Sequence, residues 1–232
     1  MVVFLSKLFV FQSLRYFLIG GGAFAVLNIW AREYFKKYKI QDRYQASSRK
    51  QIISEIKNSL VTLFIFSTFF SIVLKTPISS WVKLYSDFKH YPLWWNILSL
   101  PFLVVVHDTY FYWMHRTLHH NFFYGRFHST HHHSITPTPF ASFSFHPMEA
   151  FFEVVWIFPV LVFVPIHKYI LISFAFISFL NNVKGHLGFE FSKTENVLFN
   201  SSTHHSHHHR YFNCNYGLYF LFWDRIFRTE KL

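Results

Sequence analysis

Residues 93–120 read LWWNILSLPFLVVVHDTYFYWMHRTLHH. The uncharged run from Leu93 to Val106 passes into an aromatic segment and then into His115 and His119. A helix needs roughly 20 apolar residues to cross a hydrocarbon core, and Leu93 to Trp113 is nearly continuous apolar sequence. At about 1.5 Å per residue, His107 to His119 covers about 18 Å. The stretch therefore predicts a spanning helix whose extension carries metal-ligand side chains close to the membrane surface.

Four other stretches come near spanning length. Val2 to Leu14 is interrupted by Lys7 alone, and Tyr16 to Trp30 and Leu60 to Leu74 are uncharged. Phe151 to Leu180 contains Glu153, Pro159, Pro165, His167 and Lys168, and reads as two short helices in a re-entering hairpin broken near Pro165. The N-terminal run is not a removed signal: Arg15 interrupts it, Gly20 to Gly22 lie inside it, and no small-residue cleavage site follows Trp30. The expected fold class is an all-α integral membrane protein with about four to five membrane helices. Residues 1–106 form its anchor and 107–232 a His-rich half that includes the 151–180 hairpin, the two making a single integrated domain.

Composition agrees with that class. Hydrophobic residues make up 52% of the chain and charged residues 14%, against about a quarter charged in soluble domains. So apolar a chain is not intrinsically disordered. The net charge of +11 suits either nucleic acid or an anionic membrane surface. The Lys and Arg residues are scattered among Phe, Leu and Ile, which favours the membrane and leaves no nucleic-acid partner expected. Loop 31–59 holds eight basic residues against three acidic ones, which places it inside. Loop 75–92 carries a weaker signal, and Lys7 and Arg15 dissent mildly because the N-terminus is left outside. Alternation then puts 107–149 and 182–232 on the cytosolic face, so every His-rich segment shares one side. The lone Cys214 excludes an internal disulfide framework and any CxxC metal site.

Of the 17 histidines, His90 stands apart and the other sixteen lie between His107 and His209. His115 and His119 form HxxxH; His128, His131 and His132 form HxxHH; His205, His208 and His209 repeat it; His186 stands alone. Positions i, i+3 and i+4 share a helix side. These nine imidazoles exceed what one six-coordinate ion can use, whereas two metals with four or five each leave positions open for oxygen. Ligand type alone suits Fe, Zn, Cu or Ni. A low-complexity buffering tract accounts for His204 to His209 by itself, but not for two separated HxxHH groups preceded by HxxxH. His133, His204 and His207 read as neighbours of ligands, His120 as facing elsewhere, and His90 and His167 as loop residues.

His107, Asp108, His146 and Glu149 are candidates to orient ligand ring N–H groups, with Glu190 and Asp224 behind them. Arg116 occupies the position where a zinc protease has its general base, so there is no HExxH. GxSxG, GxxxxGK[ST] and GxGxxG are also absent. With neither a nicotinamide nor a flavin site in view, electrons must come from a partner. A membrane metal transporter or storage protein with His-rich loops is the rival reading. Transporters place ionisable ligands inside spanning helices, and Tyr16 to Trp30 and Leu60 to Leu74 contain none.

Asp108 to His120, His128 to Glu149, Asn182 to Glu190 and Asn200 to Arg225 resemble, in order and spacing, the four signatures of the fatty acid hydroxylase/sterol desaturase superfamily. The likeness covers about residues 60 to 230 and is closest to the compact sterol desaturase-like branch. It implies a di-iron enzyme that uses O2 and two electrons to hydroxylate or desaturate a lipid of sterol or fatty acyl type, with ether-lipid oxidation as another outcome within the superfamily. It implies iron ligands at His115, His119, His128, His131, His132, His186, His205, His208 and His209. It also implies a cytochrome b5- or ferredoxin-type electron donor with its reductase, and residence in a bacterial inner membrane or the endoplasmic reticulum. Phe143 and Asn182 stand where some members carry a further His, and Arg228 replaces a glycine usual near the end.

Overall fold

The computed structural model describes residues 1–40, 47–191 and 198–231. Asp42 and Arg43, counted in the charge of loop 31–59, lie outside the described residues. Among the described residues three helices are long and apolar enough to cross a membrane: α1 (Val2–Trp30), α2 (Arg49–Lys75) and α3 (Leu93–Leu118). The two N-terminal stretches that read as separate runs are one helix, because Arg15 is accommodated without a break. Phe17–Gly21 and Val26–Trp30 are wound as π-type turns within it. A Cβ on Gly20 would rest in ordinary contact with the Pro139 carbonyl oxygen at 3.5 Å, and one on Gly22 would meet open space.

Local chemistry sets the ends of α2. The Ser48 hydroxyl accepts the Gln51 N–H at 3.1 Å, satisfying an N-terminal donor. Pro77 pushes Thr76 out of the helical region, as a proline does to its predecessor. Along α2, Ser59, Thr62, Ser67 and Ser71 are buried, and their small side chains admit α1; Gln12 Nε2 donates to Ser67 Oγ at 2.8 Å. Pro101 stays inside α3, a break that membrane helices tolerate when neighbouring groups re-satisfy the freed carbonyl. Val10, Phe11 and Leu14 on α1 and Ile97, Leu98 and Val105 on α3 are exposed, as a lipid-facing surface requires.

The second half adds the hairpin: α4 (Pro147–Val155), α5 (Ile157–Phe163) and α6 (Lys168–Gly185). The break falls at the predicted place, and the hairpin reaches the far end of the bundle. Its tip forms strand β2 (Ile166–His167), which pairs in parallel with β1 (Leu84–Tyr85) from the α2–α3 connection. Trp95 Nε1 also donates to the Pro165 carbonyl at 2.8 Å. One buried cluster, with Leu103, Trp156, Leu161 and Phe174, holds the hairpin to α3. Another, with Tyr16, Leu63, Phe140, Phe143 and Phe179, ties the anchor to the His-rich half. Tyr16 Oη and Ser59 Oγ both donate to the Phe140 carbonyl, at 2.8 and 2.9 Å.

Two further helices, α7 (Ser202–Tyr211) and α8 (Phe222–Ile226), close the end where α2 begins and α3 finishes. The basic connection after α1 lies at that same end, where Ser47 Oγ donates to the Thr136 carbonyl at 2.9 Å.

Candidate metal centre

The nine histidines singled out by spacing converge as two adjoining groups. His115, His119, His128, His132 and His208 form one; His131, His186, His205 and His209 form the other. Within each, the inward nitrogens lie within 4.8 Å of one another. The division follows helix geometry. Residues four apart are about 40° apart around a helix axis, whereas residues three apart fall about 60° to the other side. Hence His115/His119 and His128/His132 stay together in the first group, and His205/His209 in the second. The i+3 members cross over: His131 joins the second group and His208 the first. Each HxxHH motif therefore straddles both groups.

Outward hydrogen bonds fix several rings. His115 Nδ1 donates to the Tyr216 carbonyl at 3.0 Å, His208 Nδ1 to that of Cys214 at 2.7 Å, and His186 Nδ1 to that of Asn182 at 2.8 Å. His128 Nδ1 faces Glu149 Oε1 at 2.7 Å. A carbonyl only accepts, so neutral His115, His208 and His186 carry their proton on Nδ1 and turn a bare Nε2 lone pair inward, and an ionised Glu149 would set His128 the same way. Yet His115 and His128 Nε2 stand 3.2 Å apart, as do His119 and His208 Nε2. In the second group His205 and His186 Nε2 are 2.9 Å apart. Lone pairs set face to face repel unless a cation lies between them. Two nitrogens bound at right angles, each about 2.1 Å from one ion, stand about 3.0 Å apart. The donor set thus fits two metal ions.

Burial keeps the imidazoles in the ligand form. It holds His119, His128, His132 and His208 well below the usual imidazole range, with neighbouring imidazoles adding to the effect. His131, His205 and His209 are lowered in the same way. Burial lowers His186 to about 4, partly opposed by its bond to Asn182. Glu149 is pushed well above the usual carboxylate range, first by burial and then by the Glu153 carboxylate.

Other candidates take different places. Asp108 orients no imidazole; its Oδ1 accepts the backbone N–H groups of Leu218, Tyr219 and Phe220, at 3.2, 2.7 and 3.3 Å. It holds the strap that carries Tyr216 rather than a ring. His146 also departs from expectation: its side chain caps α4 by accepting the Met148 N–H at 3.2 Å, because the following Pro147 starts a helix there. His107 stacks on Trp156 at 4.6 Å and meets Tyr219 Oη at 3.1 Å. Glu190 accepts the Thr203 N–H at 3.2 Å, at the start of α7. Asp224 accepts the Tyr216 and Gly217 N–H groups, both at 2.8 Å, so it sets the carbonyl that holds His115. Asn215 Nδ2 donates to the His204 carbonyl at 3.0 Å.

His204 bonds Ser201 Oγ at 2.8 Å, while His133 lies exposed. His120 caps a short turn at Phe122, and His167 stacks on Phe88 at 3.6 Å.

Residue type gave no warning of the carbonyls of Tyr216, Cys214 and Asn182, which act through the backbone. Two glycines sit beside them, and Gly217 is required by space. A Cβ on Gly185 would touch the His205 ring at 3.4 Å, and one on Gly217 would collide with the Phe220 carbonyl. The pairings Gly185-His186 and Tyr216-Gly217 were the available signals.

A cavity of about 120 Å³ opens beside the centre. Its walls include Phe66, Phe143, Phe174 and Phe179. Two more lining residues touch the histidines: Phe111 packs on His115 and Phe145 on His131, each pair at 5.0 Å between ring centres. One space rich in aromatic side chains is therefore a single ring away from both groups.

Residues 100–229, the segment that holds all nine of these histidines, match the fatty acid hydroxylase family. The chain belongs to that family. Among curated relatives, human lathosterol oxidase is 33% identical over 77% of this chain and 60% of its own length. A Delta(7)-sterol 5(6)-desaturase of Leptosphaeria maculans is 35% identical over 77% of this chain and 50% of its own. Another from Aspergillus fumigatus is 30% identical over 96% of this chain and 60% of its own. The chain thus spans about half to three fifths of these relatives' lengths. No solved structure matches it. Within the family region Phe143 is a core residue stacked on Phe179 at 5.4 Å, and Asn182 serves His186 through its carbonyl.

Proposed function

We propose that this membrane protein is a di-iron oxidase that uses O2 and two electrons to hydroxylate or desaturate a lipid, with a sterol best supported by the relatives' names. The observation that carries the reading is one cavity whose lining rings Phe111 and Phe145 pack directly on His115 of one imidazole group and His131 of the other. Five histidines, His115, His119, His128, His132 and His208, would hold one iron; His131, His186, His205 and His209 would hold the other. Iron supplies the redox chemistry that an unactivated C–H bond demands and that acid–base side chains and zinc lack.

The chain's own residues do the positioning. The Tyr216, Cys214 and Asn182 carbonyls and Glu149 fix ring tautomers, so the inward lone pairs need no rearrangement. Phe111 and Phe145 keep water from the imidazoles and guide an apolar substrate against them. Hydroxylation and desaturation differ only in where the substrate's second C–H bond rests relative to the centre. The centre lies at the end shared with the basic 31–40 segment, which supports a cytosolic site in a bacterial inner membrane or the endoplasmic reticulum. The electrons come from an external carrier of cytochrome b5 or ferredoxin type with its reductase.

The test is lipid profiling of cells expressing the wild type or His131→Ala. A lipid product made by the wild type and lost in the variant is expected. Identical lipids combined with altered metal uptake would favour transport instead.

A further inference from the structure

The cavity contains two charged side chains that the metal centre does not use. Arg15 lies near the middle of α1, where a charge is costly unless it serves an interior function. Its guanidinium rests over the Phe179 ring at 4.2 Å, and its Nε is buried without a hydrogen-bond partner. Glu153 lines the same cavity from α4. The ion pairs among the described residues join His128 to Glu149, His204 to Glu230 and Arg225 to Glu230, so Arg15 and Glu153 are not bonded to one another. Around them the walls include aromatic rings such as Phe66, Phe143 and Trp156.

We propose that Arg15 and Glu153 read the hydroxyl group of the substrate, which makes that substrate a neutral lipid alcohol of the sterol type. The inference rests on the lipid-oxidase reading above. Arginine only donates hydrogen bonds, whereas a carboxylate accepts them. An alcohol satisfies both at once: its oxygen accepts from Arg15 and its hydrogen is given to Glu153. A fatty acid carboxylate or a phosphate satisfies Arg15 but sets like charge against Glu153. A plain hydrocarbon leaves the buried Arg15 Nε and the half-buried Glu153 carboxyl without a partner in the cavity, which is costly.

Position supports the same class. Glu153 follows Glu149 by one helical turn, about 6 Å, and Glu149 holds His128. An alcohol bound there brings carbons a few bonds from its oxygen beside the imidazoles. That suits a compact polycyclic alcohol better than the middle of a long acyl chain. Arg15, which reads in the sequence as a flaw in a membrane helix, becomes a specificity determinant.

The test is direct binding to the purified protein in lipid nanodiscs, read with a fluorescent 3-hydroxysterol and with competition by its 3-deoxy analogue and by oleic acid. The wild type is expected to bind the hydroxysterol at least about tenfold more tightly than either competitor, because a site built for a hydroxyl rejects its absence strongly. Arg15→Met and Glu153→Gln should each erase most of that ratio while metal content stays at the wild-type level. The wild-type ratio stands as a test even if a variant fails to fold. Equal binding of the deoxy analogue, tighter binding of oleic acid, or a ratio unchanged in both folded variants would overturn the pair. If one of these results came with lipid oxidation intact, the hydroxyl assignment would fall and the oxidase reading would survive. A protein without metal that binds none of the three would remove both.

Discussion

The two imidazole groups are built from the same residue type but are braced differently. In the group of five, His115, His128 and His208 each have an outer nitrogen bonded to Tyr216, Glu149 or Cys214. In the group of four, only His186 is anchored, to Asn182, while the outer nitrogens of His131 and His209 there, and of His132 in the group of five, are buried without a partner. Anchored rings hold their lone pairs in place before a metal arrives. Unanchored rings must be ordered by the metal, which weakens binding. The difference teaches that one centre contains a rigid half and a compliant half, and that the compliant half is the one beside Phe145.

The largest expected effect comes from removing a brace. Glu149→Ala leaves His128 Nδ1–H buried without an acceptor and should weaken metal binding at the group of five by about 10–100-fold. Metal titration monitored by absorbance should show one weakened site and one unchanged. Equal weakening of both would break the comparison.

A smaller effect concerns release. Under a chelator, the group of four should empty first, giving two phases with roughly tenfold different rates, as loss of outer hydrogen bonds implies. A single phase for both ions would show that the bracing carries no energetic weight.

The smallest effect tests the strap after α7 that supplies the Cys214 and Tyr216 carbonyls. Phe212 and Asn215 on this strap, and Arg228 in the segment after α8 that bonds back to it, have φ of 67°, 54° and 54°, a conformation that costs non-glycine residues about 1 kcal/mol or more. Arg228→Gly should relieve part of that strain and raise stability by up to about 1 kcal/mol. Thermal unfolding would measure it, and a lowered midpoint would mean that the Arg228 side chain contributes more than its backbone costs.

How much of this was legible follows from what side chains reveal. The spanning helices were readable because lipid exposure demands long apolar runs, and the hairpin break was readable at Pro165. The continuity of α1 was less so: Arg15 interrupts the apolar pattern, and only the cavity on one side of the helix explains why it does not interrupt the helix. The clustering of the histidines was readable because HxxxH and HxxHH combine residue type with helical spacing. Their partition into five and four was not, since it depends on how His131 and His208 rotate away from their neighbours. Glu149 was a candidate from its place in the second signature. Asp108 looked equivalent, but the folded chain presents it with three backbone N–H groups from a strap about 110 residues away in sequence. Carbonyl acceptors carry no residue-type signal at all.

The central claim is that nine imidazoles hold two irons in separate groups. Iron analysis of the protein purified after iron-replete expression, beside His119→Ala from the group of five and His131→Ala from the group of four, tests it most directly. The account predicts about two Fe per chain in the wild type and about one in each variant. A wild-type protein that holds no iron, or variants that each keep two, would contradict it.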